Sequence, residues 1–112
     1  MTQGFTLPDL AALIALRQSA VADTSYTRSL LDAGLTKCAR KFAEEATELV
    51  IAAVERDKKA ITLESADVLY HLLVLLHAGN VSLSDVMDEL GRRTSQSGLA
   101  EKAGRLKPTA TP

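Results

Sequence analysis

Two clusters of acidic residues carry the chemistry open to this sequence. Glu44-Glu45-Ala46-Thr47-Glu48 and Glu64-Ser65-Ala66-Asp67 both place carboxylates one helical turn apart. At about 100° per residue, Glu44 and Glu45 lie roughly 40° and 60° to either side of Glu48, and Glu64 lies roughly 60° from Asp67. Each segment, if helical, presents one acidic patch. The first patch alone says little, because solvated helix faces often carry such acids. The second leads directly into Val68-Leu69-Tyr70-His71-Leu72-Leu73-Val74-Leu75-Leu76, which is apolar on nearly every side, so its carboxylates are expected to be partly desolvated. Ala60 to Ala78 contains no Lys or Arg to compensate them. If the two patches face each other, their mutual repulsion is relieved by a hard divalent cation with oxygen ligands. Mg²⁺ is the first expectation and Mn²⁺ the second.

The residue types exclude several other chemistries. A di-iron bundle needs Glu-x-x-His, whereas the pair here is Glu64 and Asp67, with His71 one turn further on. A lone histidine on an apolar helix is more often a core residue than a ligand. The chain carries no His-Glu-x-x-His, Walker A or glycine-rich dinucleotide signature. Its single cysteine, Cys38, reads as a small buried apolar residue in a reducing, cytoplasmic setting. An all-oxygen Mg²⁺ site usually serves phosphate-ester or phosphoanhydride hydrolysis, which calls for basic groups nearby. Lys37 and Lys41 share a face with Glu44 and Glu48, and Arg28 lies on a preceding segment. Arg92, Arg93, Lys102 and Arg105 supply further positive charge toward the C-terminus.

The elements that position these residues are helices. The chain has 112 residues, 46% hydrophobic and only 4% aromatic with no Trp, so its core must be built from Leu, Val, Ile and Ala. Proline occurs only at positions 8, 108 and 112. Thr6 followed by Pro8 and Asp9 predicts a helix from Leu7 to about Ala20, and Ser25 to Leu31 a short second helix ended by Gly34. The stretch from Leu35 to Ala78, free of Gly and Pro, is divided by Glu55-Arg56-Asp57-Lys58-Lys59 into an antiparallel αα-hairpin. Folding at that turn brings the two acidic patches to the same level. Cys38, Phe42, Ala46, Leu49 and Ala53 are expected to face inward on the first arm, and Leu69, Leu72, Leu73 and Leu76 on the second. Ser82 or Ser84 caps a last helix reaching about Thr94. The fold class is thus all-α, about five helices in one domain over residues 1–105, with a flexible tail at 106–112. The net charge of −1 gives no basis for nucleic-acid or membrane electrostatics. No apolar run approaches the roughly 18 residues of a membrane span. An apolar helix too large to be covered by so small a chain favours a homodimer.

The two acid motifs resemble those of the all-α nucleoside-triphosphate pyrophosphohydrolase superfamily. A wider set is similar to the phosphoribosyl-ATP pyrophosphohydrolase family: Ser25-Tyr26-Thr27, Leu30-Leu31, Gly34, Lys37, Lys41, Ala66 through Leu76, Arg92-Arg93-Thr94, Ser97-Gly98 and Glu101-Lys102-Ala103. The resemblance covers about residues 5 to 105. It implies Mg²⁺-dependent hydrolysis of phosphoribosyl-ATP to phosphoribosyl-AMP and pyrophosphate, the second step of histidine biosynthesis, by a cytoplasmic homodimer. It also implies Glu45, Glu48, Glu64 and Asp67 as metal ligands. Glu44 becomes a supporting group, a second-metal ligand or the base that orients water, so Glu44, Glu45 and Glu48 form the expected catalytic set. Arg28, Lys37 and Lys41 are the expected phosphate-binding residues. Ala43 stands where the family pattern has glycine. Two alternatives remain at this level: a house-cleaning nucleoside-triphosphate pyrophosphohydrolase, and a non-catalytic dimeric helical adaptor with solvated acids.

Overall fold

The computed structural model describes residues 4–21 and 25–95. Among them are five helices and no strand: α1 (Leu7–Arg17), α2 (Tyr26–Ala33), α3 (Leu35–Val54), α4 (Lys58–Ala78) and α5 (Leu83–Thr94). The chain divides into two units, Met1–Val81 and Ser82–Pro112. The first unit contains α1 to α4; α5 belongs to the second. The expected domain limit at residue 105, the tail at 106–112, and Lys102 and Arg105 lie outside the described residues.

Side-chain caps start four of the five described helices. The Thr6 hydroxyl accepts from the Asp9 amide at 3.2 Å while the Thr6 amide donates to the Asp9 carboxylate at 3.0 Å, a reciprocal cap that fixes the start of α1. Ser25, Asp57 and Ser82 cap α2, α4 and α5 by accepting from the amides of Arg28, Ala60 and Asp85. Helix α1 ends at Arg17 rather than at Ala20. Beyond it the Gln18, Ser19 and Ala20 amides reach back only three residues, and the Ser19 hydroxyl bonds the Leu16 carbonyl, so the chain tightens into a turn. Gly34, at φ 100°, separates α2 from α3 in a conformation that a side chain would strain.

The hairpin α3–α4 is the structural centre, with α1 and α2 packed against it. At its turn the Arg56 amide donates to Ala53 O and the Asp57 amide to Ala52 O, with Arg56 itself at φ 60°. This is a Schellman closure built on arginine instead of glycine. The end of α4 closes in the same way, through Asn80 to His77 O and Val81 to Leu76 O, with Asn80 at φ 60° and Gly79 in an ordinary conformation.

Ile14, Leu30, Cys38, Ala52, Leu73 and Val74 form the core, joined by buried Thr27 and His71. Two inward expectations are corrected. Ala52, not Ala53, is buried, because the inward stripe of α3 runs 38–42–45–49–52 at helical pitch; Leu69 is exposed, since α4 turns positions 71 and 74 toward α3. The view of membrane spans also needs correcting. Helix α4, at 21 residues, is long and apolar enough to cross a membrane by length and composition alone. It packs against α3 and α1, however, and carries Glu64, Asp67 and His71.

Thr27 and Tyr70 share a hydroxyl–hydroxyl hydrogen bond of 2.6 Å that ties α2 to α4. Tyr70→Phe leaves the buried Thr27 hydroxyl without this partner, and is expected to cost about 1–3 kcal/mol. Thr27→Val in the same chain should recover part of that loss. Urea unfolding of the single and double variants at one protein concentration checks both.

Candidate active site

The level of each acid follows from the hairpin geometry. Counting outward from Arg56 at equal rise, Glu48 lies opposite Glu64, Glu45 opposite Asp67, and Lys41 opposite His71. Glu45 and Glu64 occupy the inward stripes of their helices, and Glu48 flanks them. Carboxylate oxygens of Glu45, Glu48 and Glu64 consequently lie within 4.8 Å of one another. Glu64 is half-buried, and its Oε1 is fully buried with no hydrogen-bond partner. Burial raises its pKa above the ordinary carboxylate value, and the charges of Glu48, Asp67 and Glu45 push the same way.

Asp67 stands apart from that convergent trio. It is exposed and close enough for its charge to act on Glu64, but its oxygens are not part of the 4.8 Å group. Glu44 is exposed on the outer rim, where its Oε1 accepts from Lys41 Nζ at 3.2 Å. The same ammonium lies 3.9 Å from Glu45, whose side chain is only 14% exposed. These two glutamates raise the Lys41 pKa, first through the hydrogen bond to Glu44, and keep it charged. Lys37 is exposed on α3, one turn before Lys41. Arg28 is engaged elsewhere, with its guanidinium on Asp32 at 3.0 Å and on the Ala20 carbonyl. The structure therefore brings Lys41 to the acids, and spends Arg28 on bracing the start of α2.

In the second unit, Arg92 and Arg93 both hold Glu89, at 2.6 and 2.9 Å. Their hydrogen bonds depress its carboxyl pKa to about 2. The resulting stabilisation is present above the ordinary carboxylate range and disappears as pH falls through about 2. NMR titration of the Glu89 carboxyl should find a midpoint near 2, moving up toward the ordinary value in an Arg92→Gln, Arg93→Gln variant.

A cavity of about 200 Å³ opens beside the trio, lined by Glu48, Ile51, Ala52, Glu55, Ala60 and Glu64. A larger hollow of about 430 Å³ lies between the start of α1 and α4. Phe5, Thr6, Leu7, Leu10, Ala66, Leu69 and Tyr70 line it without a charged group, which makes it unsuited to phosphates. Cys38 takes no part in the acidic site: its buried thiol donates to the Leu30 carbonyl at 3.3 Å, and burial raises its pKa.

His71 has less accessible surface than any of the acids, at 6% exposed. It meets Tyr70 and Tyr26 edge to face, with ring centroids 5.0 and 6.1 Å away. Burial lowers its pKa, favouring the neutral imidazole. Its Nδ1 is buried and has no partner.

Convergent hard oxygens, an orphaned Glu64 oxygen and repulsion among the acids all fit a divalent cation. Ligands about 2.1 Å from one ion stand at most about 4.2 Å apart, so the trio needs only a small inward movement to enclose Mg²⁺. Residues 7–94 match the family described as phosphoribosyl-ATP pyrophosphohydrolase. The chain belongs to that family. The phosphoribosyl-ATP pyrophosphatase of Azorhizobium caulinodans is 58% identical over 91% of this chain and 94% of its own length. The protein of that name from Rhizobium meliloti is 55% identical, over 93% and 97%. Phosphoribosyl-ATP pyrophosphatase 1 of Bradyrhizobium diazoefficiens is 55% identical, over 90% and 95%.

Proposed function

We propose that this chain hydrolyses phosphoribosyl-ATP to phosphoribosyl-AMP and pyrophosphate, the second step of histidine biosynthesis. The observation carrying the chemistry is the convergence of Glu45, Glu48 and Glu64 from opposite arms of one hairpin, with Lys41 at the rim. Family membership supports the substrate. Glu45, Glu48 and Glu64 would hold Mg²⁺, or Mn²⁺, and Asp67 would complete the set by turning inward. The bound ion supplies neutralisation of charge developing on the pyrophosphate leaving group.

The chain's own residues do the remaining work. Lys41, already charged and half-buried, exchanges its carboxylate partners for the outer phosphates, with Lys37 one turn behind it. Arg28 contributes to the same anion by giving up Asp32. Glu44, released from Lys41, has a free carboxylate at the rim to orient the attacking water and take its proton. Displacement at the α phosphorus then breaks the bond to the β-phosphate oxygen and releases pyrophosphate.

The active form in this reading is a cytoplasmic homodimer. The unpaired Cys38 thiol suits a reducing compartment, and the apolar residues left open on α3 and α4 support self-association. The decisive assay offers phosphoribosyl-ATP beside a panel of nucleoside triphosphates and identifies the phosphate species released. Pyrophosphate from phosphoribosyl-ATP is expected. Preferential cleavage of common triphosphates, or stepwise release of orthophosphate, would overturn the assignment.

A further inference from the structure

The Nδ1 of His71 is a buried polar atom with no partner, inside a cluster where most other polar groups are paired or reach solvent. Bulk solvent does not reach this atom, and an acceptor on a facing side chain would satisfy it. The facing helix offers one. Side chains on a helix lean toward its N-terminus, so on antiparallel arms Glu45 leans toward the level of Lys41 and His71, while His71 leans back toward the level of Glu45. Both lie on the inward stripes of their helices, and Glu45 is the less exposed member of the Lys41–Glu45 pair. Among the carboxylates near the ring, Glu45 exerts the largest electrostatic influence, ahead of Asp67 and Glu44; Lys41 opposes them.

Lys41 cannot hold Glu45 and a phosphate chain equally well. At 3.9 Å it is already a loose partner for Glu45, and its closer bond is to Glu44. When the ammonium moves to an anion, the Glu45 carboxylate loses its only cation among the described residues and needs a neutral donor to fix its orientation. A neutral imidazole with a proton on Nδ1 supplies that donor.

We propose that His71 is a positioning residue of the site, donating from Nδ1 to the carboxylate of Glu45 when the site is filled, and thereby holding this carboxylate toward the cation. The inference rests on the metal-binding part of the function proposed above. It concerns orientation only: His71 touches neither the substrate nor the reacting phosphorus.

Three variants separate positioning from packing. His71→Asn keeps an N–H close to the Nδ1 position, His71→Gln moves the amide outward toward the Nε2 position, and His71→Leu keeps apolar bulk without a donor. Mn²⁺ affinity, measured by calorimetry on the whole protein, is the main readout. The Leu and Gln variants are expected to bind Mn²⁺ about tenfold or more weakly than the parent, as for loss of a group supporting a metal ligand, while Asn stays within about threefold. Equal affinities for Asn and Leu would overturn the proposal. If the Leu variant does not fold, the ¹⁵N spectrum of the parent imidazole decides. Addition of Mg²⁺ with pyrophosphate should convert the His71 Nδ1 signal to that of a hydrogen-bonded N–H, and an unchanged signal would overturn the proposal. A parent that binds neither Mn²⁺ nor Mg²⁺ would remove the metal-binding reading and this inference together. Normal binding by the parent with indifferent variants would remove only the inference.

Discussion

Replacing Glu64 by glutamine is expected to abolish turnover while leaving the metal-free protein as stable as the parent or more so. The expected loss of activity is about 100-fold or more, since the variant removes an inward ligand oxygen from the convergent trio. The stability effect has the opposite sign because Glu64 is strained by burial and by three neighbouring carboxylates. Its raised pKa means that the folded chain holds this proton more tightly than the unfolded chain. The group therefore favours folding below the ordinary carboxylate pKa of about 4.3, and that advantage is lost as pH rises through the raised value. At neutral pH the amide relieves the repulsion at nearly constant volume. Melting curves should show the parent gaining strongly in Tm with Mg²⁺ and the variant gaining little. An active Glu64→Gln protein, or a parent whose melting ignores Mg²⁺, would mean that the carboxylates are a surface feature. Asp67→Asn belongs in the same experiment. Loss of both turnover and Mg²⁺ stabilisation would show Asp67 turning inward as the fourth ligand; retention would leave the three glutamates sufficient.

The features of this fold that were legible in the sequence are those set by local chemistry and helical pitch. Thr6 and Ser82 have side chains that satisfy amides at helix starts, and the polar run after Val54 marks where the long glycine-free stretch reverses. Once the turn is located, equal rise on both arms places Glu48 opposite Glu64. The hidden features depend on tertiary choices. No glycine advertises the closure at Arg56, and at the end of α4 it is Asn80 rather than Gly79 that takes the left-handed conformation. A shift of one position, Ala52 for Ala53, is within the freedom of a helix until its partner fixes the rotation. The roles of the cations were equally hidden. Whether Arg28 serves a phosphate or its own i+4 neighbour Asp32 depends on side-chain rotamers, and the structure selects Asp32. The signal that could have raised the standing of His71 was the apolar run itself, because a histidine buried there needs partners that its own helix does not supply.

A protomer that buries so little of its longest apolar helix is expected to pair with a second copy. Only His71, Leu73 and Val74 of α4 are buried. At the turn end of the hairpin, Val50, Ile51 and Val54 on α3 are 60%, 51% and 76% exposed, and Leu63 on α4 is 57% exposed. These four side chains lie within two turns of the Arg56 reversal, where the arms are level, and Ile51 also lines the cavity beside Glu48 and Glu64. At roughly 25 cal/mol per Å² of apolar surface removed from water, covering such a patch within an interface of about 1,200–2,000 Å² provides the driving force that one chain cannot provide internally. Sedimentation equilibrium at low micromolar concentration should therefore give a dimer or a larger assembly. The double variant Val50→Glu, Val54→Glu introduces charge at two already open positions, so the protomer should keep its helix content while the assembly dissociates. A parent that sediments as a monomer, or a double variant that stays assembled, would show that this end of the hairpin is not where two copies meet.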